Sequence, residues 1–153
     1  MTQTLDKTGH ANLLPVESWR VDRTIEAYVD GCSPTFQMTP LFAGSPSTHF
    51  RIDSWTTGKC LFMQNRTGPF AFRRTKSQLE RSSHLVVVLR HLSGATRGYS
   101  GDEILTRRPG LFHFMDQATP FDAIQEAGEF QTVYIPKELI GYDPDKHPRF
   151  MPI

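Results

Sequence analysis

From Val16 to Tyr28 the apolar residues Val16, Trp19, Val21, Ile25 and Tyr28 fall mostly three or four apart, and Gly31 and Pro34 follow as a stop. That spacing predicts an amphipathic helix over residues 16–31, packed on the rest of the domain. Beyond it the period shortens. Runs rich in Phe, Val, Ile and Thr extend from His49 to Trp55, Lys59 to Gln64, Phe70 to Thr75, His84 to Leu92, Thr96 to Tyr99, Glu103 to Thr106, Leu111 to Met115, Phe121 to Gln125 and Phe130 to Ile135. Gly- or Pro-bearing breaks such as Thr57-Gly58, Ser93-Gly94, Ser100-Gly101-Asp102 and Pro109-Gly110 separate them. Short strands at this density, with turn chemistry between them, predict an all-β sandwich or barrel. Leu85 to Leu89 is continuously apolar, as a central strand covered on both faces should be. Pro136 ends the last strand, and Lys137 to Gly141 reads as one helical turn.

Composition narrows the class. With 153 residues, 38% of them hydrophobic, the chain reads as one domain large enough to hold a core without disulfide or metal staples. A formal net charge of +1 argues against a surface that gathers nucleic-acid phosphates, and one helix cannot supply a helix-turn-helix, so no direct DNA binding is expected of this chain. Two cysteines, Cys32 and Cys60, make no disulfide framework, and residues 1–15 carry neither a signal-peptide pattern nor a spanning helix and read as a flexible arm. A cytoplasmic protein without membrane contact is the expectation.

A cupin-type metal site needs ligands converging from neighbouring strands, usually His-x-His, then Glu, then a late His. Pro109-Gly110-Leu111-Phe112-His113 reproduces the late segment, but His84 and His91 stand seven apart on one strand and therefore face opposite ways. Neither has a second histidine two residues away, so no metal or other cofactor is assigned, and His113 reads as a hydrogen-bonded pocket or core residue. No Gly-x-Ser-x-Gly elbow or Cys-x-x-Cys is present, and Cys60 reads as a small buried hydrophobe. The basic pairs Arg73-Arg74 and Arg107-Arg108 read as solvated strand ends, and Asp102-Glu103 as a hairpin tip.

What remains is the aromatic inventory. The strands carry Phe, Trp and Tyr side chains that would serve equally to fill a core or to line a pocket. Arg90 and His113 stand in otherwise apolar runs and need partners. Strand alternation puts His113 and Met115 on one face and Phe112 and Phe114 on the other. It nominates Trp55, Phe62, Phe72, Arg90, His113, Met115 and Tyr134 as pocket residues.

The run from His84 to Leu139 is familiar in its order. Leu92-Ser93-Gly94, a hairpin around Gly98 and Gly101, Arg108-Pro109-Gly110, an apolar strand closing on Asp116, Thr119-Pro120-Phe121 and Val133-Tyr134-Ile135-Pro136-Lys137-Glu138-Leu139 together resemble the cupin-like regulatory domain of AraC/XylS-type transcription regulators. The resemblance covers roughly residues 35–140. It implies a jelly-roll domain, drawn here over residues 35–153, that binds a small-molecule effector and passes its state to helix-turn-helix modules. It also implies a homodimer, turns at Ser93-Gly94 and Pro109-Gly110, and a turn-capping role for Asp116. Such regulators continue well beyond the barrel through a pair of helices, whereas this sequence ends at Pro152-Ile153. The ordered turn motifs and the lack of a complete catalytic set make a non-catalytic sensing domain the leading expectation. Its rivals are a small metal-dependent cupin enzyme, motivated by Pro109 to His113, and a packed barrel that docks a protein partner.

Overall fold

The computed structural model describes residues 36–41 and 50–152, together with the backbone of residues 17–23. Twelve strands and two short helices are found there, in the order β1 Glu17–Arg23, β2 Gln37–Pro40, β3 Phe50–Thr57, β4 Cys60–Thr67, β5 Phe70–Arg73, α1 Lys76–Ser82, β6 Leu85–His91, β7 Thr96–Ser100, β8 Glu103–Arg107, β9 Phe112–Asp116, β10 Asp122–Gln125, β11 Gly128–Pro136, α2 Lys137–Ile140 and β12 Phe150–Pro152. All pairings are antiparallel, in a seven-stranded sheet ordered β1-β3-β4-β11-β6-β9-β12 and a five-stranded sheet ordered β2-β5-β10-β7-β8. Met38, Phe70, Phe72, Leu105, Phe121 and Ala123 meet Val87 and Met115 in one buried cluster, so the two sheets pack face to face as a sandwich. The all-β expectation holds, and each of the nine expected strands is present within three residues at either end. Among the described residues no helix is long and apolar enough to cross a membrane.

One expected element is different. Glu17–Arg23 is not helical but strand β1, paired with β3 in the register Trp19↔Ser54 and Val21↔Ile52. The three-and-four spacing there coexists with a strict alternation of Trp19 and Val21 against Ser18, Arg20 and Asp22. Seven residues beside an open strand edge gain ladder hydrogen bonds, which a two-turn helix cannot match. The remainder of the expected helix, and the expected arm at residues 1–15, lie outside the described residues.

The chain passes between sheets repeatedly at one end. Ser93-Gly94 carries β6 to β7, Pro109-Gly110 carries β8 to β9, and the turn before Gly128 carries β10 to β11. These corners are locked by backbone hydrogen bonds, among them Gly110 N to His91 O at 3.2 Å and Glu126 N to Ala95 O at 2.8 Å. At the opposite end α1 joins β5 to β6 and starts from a capping box. Gln78 N donates to Thr75 Oγ1 and Thr75 N donates to the Gln78 side chain. Arg74 closes that end: its Nη1 donates to Gln117 O at 2.5 Å, and the guanidinium lies 4.7 Å from the Phe121 ring centroid. Asp116 caps the turn after β9 by accepting from Ala118 N at 2.8 Å. Lys137–Ile140 forms the expected helical turn, closed by Gly141.

Candidate functional site

In an antiparallel pair the opposed residues share a face, so the register sorts every side chain of the larger sheet. One row across it, Trp55, Phe62, Val133, Val88, Phe114 and Met151, points away from the smaller sheet. The adjacent row, Ser54, Met63, Thr132, Leu89, His113 and Pro152, points toward it. Tyr134, Val87, Met115 and Phe150 form the next inward row.

The seven residues nominated from the sequence therefore divide. Phe72, His113, Met115 and Tyr134 face the space between the sheets, whereas Trp55, Phe62 and Arg90 lie on the outer face. There Trp55 and Phe62 stack with centroids 5.8 Å apart and planes 6° from parallel, and the Arg90 guanidinium sits 5.3 Å from the Phe112 centroid. Alternation within one strand settles which residues share a side. It does not settle which side is in when both are apolar, as they are along β6.

The inward face holds a polar group that the sequence reading left out. His91, the last residue of β6, is diagonal to His113 on β9 and fully buried. Its Nε2 lies 3.0 Å from Thr96 Oγ1, and that hydroxyl donates to Gln125 Oε1 at 2.5 Å. Because the single hydroxyl proton is committed to Gln125, His91 Nε2 carries the hydrogen and Nδ1 is a bare acceptor with no partner among the described residues. His113 is 3% exposed, stacks on Phe150 with centroids 6.0 Å apart, and has no partner at either ring nitrogen among the described residues. Burial, with help from Arg107, lowers the pKa of both imidazoles, that of His91 to about 4, so both are neutral at pH 7.

Arg107 completes the cluster. Alternation along β8 puts it on the same face as Leu105, opposite Thr96, and it is 3% exposed. It is therefore buried, unlike the solvated strand end expected from the sequence. Burial lowers its pKa to about 10, which leaves it cationic. Inward-facing Ser54, Ser100 and Thr132 add hydroxyls without partners among the described residues. Cys60 is a free, half-buried thiol at the start of β4, more exposed than the sequence suggested.

The two neutral imidazoles, the Thr96 hydroxyl and the Arg107 cation gather at the corners where the chain changes sheets, while Phe72, Met115, Tyr134 and Leu105 occupy the middle.

The fold is that of a known regulator. The chain superposes on the crystal structure of the AraC-like transcriptional activator CuxR with a TM-score of 0.74 and 17% sequence identity, over 86% of its own length and 51% of that chain. The likeness is one of fold, and the chain spans about half the length of that protein. No family model and no curated protein matches the sequence.

Proposed function

We propose that this chain is the effector-binding regulatory domain of an AraC-type transcription regulator, a cupin-like sandwich that senses a small molecule in the cytoplasm and performs no catalysis. The observation that carries this is the set of buried polar atoms on the inward faces with no partner among the described residues: His91 Nδ1, both His113 nitrogens and Thr132 Oγ1. Each costs on the order of 1–3 kcal/mol if left unsatisfied, and a fold would replace such groups with apolar ones if they served packing alone. A guest that bonds to them recovers that cost. The shared fold with an AraC-like activator supports the same reading. In the longer regulator this implies, DNA contact belongs to separate modules and the domain contributes to a homodimer.

A thermal-shift screen tests the proposal. A compound at a hundred times its dissociation constant raises stability by about 2.7 kcal/mol, and that rise should vanish when His113 is replaced by Phe. A broad panel of sugars, aromatic compounds and organic acids that leaves the melting temperature unmoved would overturn it.

A further inference from the structure

The sandwich buries two arginines, and they differ in their partners. Arg74 gives Nη1 to the Gln117 carbonyl and lies over the Phe121 ring, and its Nε, like that of Arg107, has no partner among the described residues. Arg107 finds a thioether, its Nη2 donating to Met115 Sδ at 3.1 Å, and Tyr134 favours its charge, but it makes no ion pair and its Nε has no partner among the described residues. A sulfur is a weak acceptor for a charged donor. The acids that pair with cations in the described residues do so elsewhere, as Asp116 does with Lys137, Glu129 with Arg66 and Glu126 with Arg97. A cation held under two sheets without an ion pair among the described residues is a cost that folding alone gives no reason to retain.

Charge decides what can relieve it. A divalent metal between His91 and His113 would sit beside a guanidinium that already disfavours positive charge on both rings. An anion is attracted to the same place, and a neutral imidazole can donate to it. The one positive charge of Arg107, without an ion pair among the described residues, matches one negative charge, and the side chains beyond it, Met115, Tyr134, Leu105 and Phe72, are apolar or aromatic.

We propose that Arg107 is the anchor for a small organic monocarboxylate, whose two oxygens take the guanidinium fork while His113 donates a further hydrogen bond and the apolar body lies against Met115 and Phe72. This rests on the reading above that the interior takes a guest, and it names the guest's class. Bidentate carboxylate recognition is what an arginine offers and a lysine does not.

The test uses matched pairs, 3-phenylpropanoate with 3-phenylpropan-1-ol and octanoate with octan-1-ol, together with inorganic phosphate, by thermal shift and calorimetry on the full chain at pH 7.5. An acid should raise the melting temperature where its alcohol and phosphate do not. Arg107→Met should weaken that acid on the order of tenfold to a hundredfold. Arg107→Lys should weaken it about tenfold, and Arg97→Met, an exposed arginine on the outer face of the smaller sheet, should leave it unchanged. A second readout needs no ligand. Arg107→Met should melt at the same temperature as the parent or higher, because it removes an unpaired buried charge. Alcohols that bind as well as their acids would overturn the carboxylate assignment and leave the sensing domain standing. Failure of every probe would count against both. An Arg107→Met variant that unfolds or melts far below the parent would mark Arg107 as a structural residue and overturn the inference.

Discussion

Lys137 Nζ lies 2.6 Å from Asp116 Oδ1, a carboxylate with no exposed surface, and the pair ties the first residue of α2 to the last residue of β9. The same oxygen caps the following turn through Ala118 N, so one buried charge holds two chain segments. Removing the ammonium leaves that carboxylate unpaired. Lys137→Met should therefore destabilise the protein by about 3–5 kcal/mol, read from urea unfolding. Asp116→Asn combined with Lys137→Met should cost less than the two single changes added together, and simple additivity would show that the pair is not coupled.

Gly98 marks the closest approach of β7 to β10. A Cβ there would collide with the Asp122 carbonyl oxygen and with both Cα and Cβ of Ala123. Neither strand can retreat, because β7 is paired on both sides. Gly98→Ala should cost more than about 2 kcal/mol. At Gly141, where φ is +61° and nothing lies within 4 Å of an added Cβ, alanine should cost only about 1 kcal/mol. Equal losses at the two sites would contradict the close contact.

His91 sets a pH dependence. Its pKa is about 4 in the folded protein and near 6.5 in the unfolded chain, so between those values the unfolded state binds more protons. Stability is thus complete above about pH 6.5 and falls as pH drops through 4, by on the order of 3 kcal/mol from His91 alone. His113 acts in the same direction. Urea midpoints at pH 7.5, 5.5 and 4.5 should decline in that order, and His91→Gln should flatten the decline. A midpoint that rises on acidification would be the opposite sign.

If the guest lies between the sheets, the outer face of the larger sheet and the inner face of the smaller one should respond differently to substitution. Phe62→Ala, on the outer face, should leave any ligand-induced thermal shift intact while lowering stability modestly, since the side chain is half-buried. Phe72→Ala, inside a cluster with Phe36, Phe70 and Phe121, should cost about 3–5 kcal/mol and abolish the shift. A ligand response lost in the Phe62 variant and kept in the Phe72 variant would place the guest outside the sandwich.

The strand pattern of the central body was readable from the sequence because turn residues and β-branched runs alternate without ambiguity between Phe50 and Pro136. Three elements were not. β1 carries both a helical and an alternating spacing, and only the neighbouring edge of β3 decides between them. The short β2 and β12 have little local signal and exist through the strands they pair with, β5 and β9. The helix α1 did have a mark, the Thr75 to Gln78 capping box, hidden among basic residues. Within the site, His113, Met115, Phe72 and Tyr134 follow from alternation once the inner side is known. Arg107 was missed because an arginine at a strand end normally reaches water, although its parity with Leu105 already put it on the inner side.

The apolar row on the outside of the larger sheet makes the alignment of β6 ambiguous on hydrophobicity alone. Val86 and Val88 on one side are matched by Val87 and Leu89 on the other, so a slide of one residue against β11 would exchange valines for valines and leucine at little cost. It would also swing His91 out of its bond to Thr96 and drive Arg90 into the interior. The polar side chains inside the sandwich thus act as alignment marks during assembly. Replacing them all with hydrocarbon would yield a protein that holds together more tightly and no longer settles into one shape.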